Sequence, residues 1–272
     1  MKKRIISLLV ITLMVFGLAG CKAKENSASD ESLKYIQDKK ELILGLDDSF
    51  PPMGFRDDAD NIVGFDIDLA KAVCEKLGVE LKLQPIDWEA KEQELNTKNI
   101  DCIWNGFSIT DDRLENLTMS KPYMGNSIAL VVVNNSDIKS QADMAGKKLA
   151  LQSGSSAEEA LDLEENKAFK DSLGGEVNGF DDYVTALMDL EVGGSDAVLM
   201  DSVVANYMIN EAGKDFAILD DSLVAEEYAV GFRKGETALC EAVEKAMKEL
   251  KADGTVEKIA SEWFGSDITT IE

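Results

Sequence analysis

The run Leu42-Ile43-Leu44-Gly45-Leu46, at the head of an alternating series of apolar runs and helical patterns, decides the fold. Behind it come a helical pattern over 66–77, a second apolar run over 79–83, a helical pattern over 89–97 and a third short run over 102–104. Short apolar runs that alternate with amphipathic helices indicate βαβ units, whose sheet is covered on both faces. The rhythm continues outward with runs at 128–133 and 148–151, a helix from Ser156, a helix over 182–190 and a run at 197–200. The last third adds a run at 228–232 and two helices, 236–250 and 255–263, separated by Asp253-Gly254, whose glycine suits a helix C-terminus. The runs at 128–133 and 228–232 divide the chain into two outer segments and an inner insert. If both cross between lobes, 33–127 and 228–272 form lobe one and 128–227 forms lobe two. Periodicity alone also allows one large doubly wound domain.

The amino terminus has a different character. Lys2, Lys3 and Arg4 precede an apolar run over 5–18 that ends in Leu18-Ala19-Gly20-Cys21. A basic start, a short apolar core and a small-residue cleavage site read as an export signal, 1–20, and the core is shorter than the roughly 20 residues a spanning helix needs. Cleavage would leave Cys21 first, so Cys21 is read as a lipidated residue that anchors the chain to the outer face of the cell membrane. A secretory peptide with an accidental cysteine and an uncleaved anchor are the alternatives. Residues 21–32 are polar and lack apolar periodicity, as suits a flexible tether. The remainder, about 240 residues, is long enough for two lobes with separate cores.

The formal net charge of −24 repels nucleic acid and anionic lipid, so no nucleic-acid partner is expected. Beyond Cys21, the cysteines Cys74, Cys102 and Cys240 form no CxxC or Cys/His spacing, and the chain has no histidine. Neither a disulfide framework nor a zinc site is supported, and no metal or other cofactor is expected. Cys74 shares a helical face with Ile67, Ala70 and Leu77, while Cys102 lies in a strand-like run, so buried packing thiols are expected.

Several stretches carry a family resemblance: Gly45-Leu-Asp-Asp-Ser-Phe-Pro-Pro-Met-Gly-Phe55, Gly64-Phe-Asp-Ile-Asp-Leu-Ala70, Ile109-Thr-Asp-Asp-Arg113 and Ser120-Lys-Pro-Tyr123. Ala145-Gly-Lys147, Gln152-Ser-Gly-Ser-Ser156, Asp196-Ala-Val-Leu-Met-Asp201, Asp253-Gly-Thr255 and Trp263-Phe-Gly265 continue the series. In this order the chain resembles the polar-amino-acid branch of bacterial solute-binding proteins of ABC importers. The resemblance implies an α/β, two-lobed periplasmic-binding-protein-like fold (type II), with two strand crossovers forming a hinge. It also implies a monomer that binds a free amino acid between the lobes and hands it to a transmembrane permease.

The same resemblance implies the site residues. Arg113 corresponds to the arginine that grips the ligand's α-carboxylate, and a guanidinium fork does this in a way lysine cannot. Thr110 is placed to cap a short helix that carries Arg113, with Asp111 and Asp112 in its first turn. Ser155 and Ser156, at the start of a helix, are implied on the same carboxylate, although a simple serine cap would also explain them. Asp201, at a strand's carboxyl end, corresponds to the acceptor for the α-ammonium, with capping of the next helix as the alternative. Ser108 and the Gly106 carbonyl, in a turn that also holds Phe107, should complete that shell. Asp47, Phe50, Trp88, Asn105 and Gln152 should surround the ligand's side chain. Asp47 has no basic neighbour in sequence, and the two rings could flank a cation, which favours arginine, lysine or histidine. Asn105 and Gln152 would also suit glutamine or cystine. Two other functions share this scaffold, an enzyme such as a dehydratase and a ligand-sensing ectodomain; with no histidine, an enzyme would have only carboxylates or lysine for acid/base work.

Overall fold

The computed structural model describes residues 30–272. Cys21, the export signal and the start of the expected tether lie outside the described residues.

The strand Glu41–Leu46 shows how the core is organised. Leu42, Leu44 and Leu46 are fully buried in one apolar cluster, while Ile43 packs into another on the opposite face of the sheet. The next central strand, Cys102–Ser108, is buried at every position, with Cys102 and Trp104 facing one cluster and Ile103 and Phe107 facing the other. Continuous burial on both faces is what a parallel sheet under two layers of helices produces. Glu41–Leu46 pairs in parallel with Cys102–Ser108 on one side and with Glu80–Pro85 on the other. A second parallel set joins Asn178–Phe180, Leu149–Gln152 and Ala197–Asp201.

Between the two sets lie two long strands, Met124–Val133 and Phe216–Arg233, antiparallel to each other and to their neighbours. Each belongs to both halves, so the molecule has two α/β lobes linked by a pair of crossing strands. Their register runs from Met124 opposite Tyr228 to Val133 opposite Phe216, with irregularities between Ile218 and Val224. The return crossing is therefore much longer than the apolar run at 228–232. Its first two thirds carry Asp220, Asp221, Ser222, Glu226 and Glu227, which break apolar alternation where the strand has few side chains to pack against.

Helix Phe65–Leu77 buries Leu69, Ala70, Val73 and Cys74 and packs on Thr237–Ala252 and Thr255–Phe264. In the second lobe, Tyr183–Glu191 and Ser202–Asn210 cover one face of the sheet through Ala186, Leu187, Val204 and Ala205. Cys74, Cys102 and Cys240 are buried free thiols. Among the described residues, no helix is long and apolar enough to cross a membrane.

Candidate functional site

The carboxyl ends of both parallel sets point at the gap between the lobes. Asp47 comes just after one strand, Ser108 ends another, and Gln152 and Asp201 end two from the second lobe. Each strand ends there in a loop or helix start, which leaves polar side chains free to face the gap. Phe50, Trp88, Gly106, Arg113, Gln152, Ser155, Ser156 and Asp201 together line one cavity of about 10 Å³. That is room for about one water molecule, so the lobes are shut on each other. Two larger depressions, of about 530 and 570 Å³, lie elsewhere on the surface and contain none of the expected site residues.

Arg113 is fixed from below and behind. Thr110 caps helix Asp111–Asn116 by accepting from the Arg113 backbone N–H at 3.3 Å, and the guanidinium lies 4.3 Å over the Phe107 ring. Its Nη1 donates to the Ser108 carbonyl at 2.8 Å, and Nη2 donates to Glu159 Oε1 of the other lobe at 2.9 Å. Nε is buried without a partner. One edge of the fork is thus committed to the fold. The other holds an unpartnered N–H beside a contact to Glu159, whose side chain is 36% exposed and able to swing away.

The opposite pole of the cavity is acidic. Asp201 accepts from Asn126 Nδ2 and from the Tyr228 hydroxyl, each at 2.7 Å. It stands at the N-cap position of Ser202–Asn210 but its side chain makes no cap hydrogen bond. Capping does not account for it. Ser155 differs, since its hydroxyl accepts from the Glu158 N–H and donates to the Gln152 carbonyl, so it does serve as a cap. Burial, reinforced by the nearby charge of Glu226, raises the Asp201 carboxyl to about 7.

Four expected site residues stand behind the cavity wall. Phe107 supports the guanidinium, and Ser108 is bonded to Arg113 through its carbonyl. Asp47 is buried and accepts from Gln152 Nε2 at 2.7 Å, so it has a neutral partner but no cationic one. Burial raises it to about 6 despite that bond. Asn105 is fully buried with both amide atoms unpartnered, and Gln152 Oε1 is unpartnered as well. Gly106 has φ of +57°, and a Cβ there would come within 2.6 Å of the Phe50 ring, so glycine is required for both reasons. Its N–H donates to fully buried Asp66, which also accepts from the Tyr123 hydroxyl. The Phe50 ring lies 5.9 Å from that of Tyr183, across the gap between lobes.

Sequence reasoning did not single out Glu226, Glu159, Asn126, Lys91 or Asp66. Glu226 accepts from Ser108 Oγ at 2.5 Å, Ser156 Oγ at 3.0 Å and Asn126 Nδ2 at 3.3 Å. Lys91 Nζ donates across the gap to the Gly154 carbonyl at 2.7 Å, and burial lowers its ammonium to about 8. Glu226 lies two residues before buried Tyr228 on one strand and so on the same face, but the apolar run legible in the sequence begins only at Tyr228 and does not reach it. No local signal existed for Asn126 or Lys91 either.

The description "bacterial extracellular solute-binding proteins, family 3" matches this chain over residues 42–266. The chain belongs to that family. It is an extracytoplasmic solute-binding protein of the two-lobed kind. The L-cystine-binding protein TcyJ of Escherichia coli (strain K12) is 30% identical to it, across 94% of this chain and 95% of the relative. The arginine-binding extracellular protein ArtP of Bacillus subtilis (strain 168) is 31% identical, across 96% and 98%. An ABC uptake transporter substrate-binding protein from Streptococcus pneumoniae, solved with bound histidine, superposes with a TM-score of 0.86 at 39% identity, covering 90% of this chain and 100% of that one.

Proposed function

We propose that this protein captures a free polar amino acid between its lobes and delivers it to the permease of an ABC importer, tethered to the membrane by a lipid on Cys21. The observation that carries this reading is the pairing of opposite poles on one cavity: the buried, partly unpartnered guanidinium of Arg113 and the buried carboxylate of Asp201. An α-amino acid zwitterion carries the complementary pair of charges on adjacent atoms, and charge-assisted bonds at both ends would hold it. In this reading the α-carboxylate displaces Glu159 from Arg113, with Ser155 and Ser156 beside it. Gly106 and Ser108 border the α-ammonium. The ligand's side chain extends toward Phe50, Trp88, Gln152, Asn105 and Asp47.

Asp47 without a cationic partner favours a basic ligand, arginine, lysine or histidine. The relative named for arginine and the structure holding histidine fall within that range, and the relative named for cystine falls outside it. The unpartnered amide atoms of Asn105 and Gln152 would also serve glutamine or cystine. Binding without chemistry fits the site, because each acidic group in it is assigned to holding the ligand or its neighbours. Thermal-shift measurement with every free amino acid and with cystine tests the proposal, since a ligand that binds only the folded state raises the melting temperature. A flat response across the whole set, with protein shown to be folded, would remove it.

A further inference from the structure

Glu226 sits on the return crossing opposite Asn126, and its carboxylate reaches into the seam between the lobes. Three donors converge on its Oε2: the hydroxyls of Ser108 from lobe one and Ser156 from lobe two, and the amide of Asn126. The same Asn126 nitrogen donates to Asp201 Oδ1 at 2.7 Å, so the two carboxylates flank one amide. Like charges this close are costly unless a cation or a proton sits between them. Arg113 faces them from its helix, and Tyr183 and Tyr228 face them from lobe two and the return strand.

We propose that Glu226 is a second anionic residue of the ammonium subsite, forming with Asp201 a two-carboxylate pole that selects ligands bearing a primary ammonium. This rests on the reading of Asp201 as the ammonium's partner. Glu226 acts in two ways. It contributes charge next to Asp201, and by taking the Ser108 hydroxyl proton in a hydrogen bond it leaves that oxygen's lone pairs to accept from the ammonium. A ligand carboxylate is directed elsewhere, to the edge of Arg113 that Glu159 occupies, because two carboxylates make this pole of the cavity anionic. Burial raises both carboxyls, Asp201 to about 7 and Glu226 upward, so the pair holds a proton at pH values where an ordinary carboxylate has lost it. An incoming ammonium replaces that proton, which leaves to solvent. Capture is therefore proton-linked, and affinity falls as the medium is acidified through that range.

Isothermal titration calorimetry with L-arginine, L-histidine, L-glutamine and L-cystine first identifies which of them binds the wild-type protein. Glu226→Gln keeps the shape and should weaken that ligand by about ten- to a hundredfold, the span of a hydrogen bond to a charged group. Repeating the titration in buffers of different ionisation enthalpy near pH 6.5 should show proton release by the wild type and less by the variant. The wild-type affinity should also decline from pH 8 to pH 6 more steeply than the variant's. If Glu226→Gln does not fold, Glu226→Asp carries the test: it retains charge but withdraws it from Ser108, and should weaken the ligand by about threefold to tenfold, with unchanged affinity counting against the inference. Equal or tighter binding by a folded Glu226→Gln, with unchanged proton release, overturns the inference and leaves the amino-acid reading intact. Absence of binding by the wild type to these four and to every other free amino acid, lysine included, removes both.

Discussion

Arg113 is held by two fixed contacts and one movable one, which sets what its replacement does. Truncation to alanine removes the guanidinium and strands the ligand carboxylate in a buried place. Losing one partner of a buried charged pair costs roughly 2 to 5 kcal/mol, so calorimetry on a folded Arg113→Ala protein should find affinity lower by about 30-fold to a few thousandfold. Arg113→Lys should restore only part of this, because the carbonyl of Ser108 and the ligand both depend on a planar fork. Near-native affinity in the alanine variant would take Arg113 out of the site. Asp47 tests ligand class. Its charge lies behind Gln152, whose amide bonds it at 2.7 Å, and asparagine would keep a polar contact while removing the charge. Asp47→Asn should therefore weaken a basic amino acid by about tenfold more than a neutral one, as loss of a charge pair predicts. Equal weakening of both classes would make Asp47 a structural residue and end the charge argument for a basic ligand.

At the scale of elements, closure depends on contacts that exist only when the lobes meet. Lys91 comes directly after a 3₁₀ turn, Trp88–Ala90, that Asp87 caps, and its ammonium reaches the Gly154 carbonyl of the other lobe. Lys91→Met keeps the apolar stem and deletes that bond, so ligand dissociation should quicken by about fivefold to tenfold while association changes little. Stopped-flow kinetics reads both, and an unaltered dissociation rate would mean the contact adds nothing to closure. Such contacts also mark the limit of what the sequence discloses. The central strands were legible because apolar runs bounded by helical patterns leave little choice, and the Thr110 cap was legible because its signature is local. The pairs that bridge the lobes are 46 residues apart for Arg113 and Glu159 and 63 for Lys91 and Gly154, and no local pattern links them. The return crossing was legible only where both faces are buried. Over 216–227 it pairs with little besides Met124–Val133, so acidic residues are tolerated and the strand signal fades. For the same reason Glu226 reads as one more surface acid in a chain with 52 acidic residues.

The whole molecule is two lobes on a two-strand hinge, and its cavity in the shut form is too small for any amino acid. Entry requires the lobes to part and capture requires them to close, so small-angle scattering should give a smaller radius of gyration at ligand saturation than without ligand. An unchanged profile at proven saturation would count against a hinge. The buried carboxyls give the fold a pH dependence of its own. Burial holds Asp47 at about 6 and both Asp66 and Asp201 at about 7, against 3.8 for an ordinary aspartate. Between about pH 4 and pH 7 the folded chain thus binds more protons than the unfolded chain, and stability falls as pH rises through that window. Asp253 acts in the opposite sense lower down: Thr255 and Lys76 hold it at about 2, so its contribution is present above the ordinary aspartate range and is lost as pH falls toward 2. The melting temperature of the ligand-free protein should accordingly peak near pH 4 to 5 and decline toward pH 7.5. Asp66→Asn should flatten that decline, since Asp66 is fully buried and carries no charge partner in its contacts with Gly106 and Tyr123. A bound amino acid should flatten it too, because its ammonium compensates Asp201 once the proton is gone. A melting temperature that stays flat from pH 4.5 to pH 7.5 would show that these carboxyls ionise in the fold as they do in the unfolded chain, and one that rises would show that they ionise more readily in the fold; either way the acidic pole would then need another account.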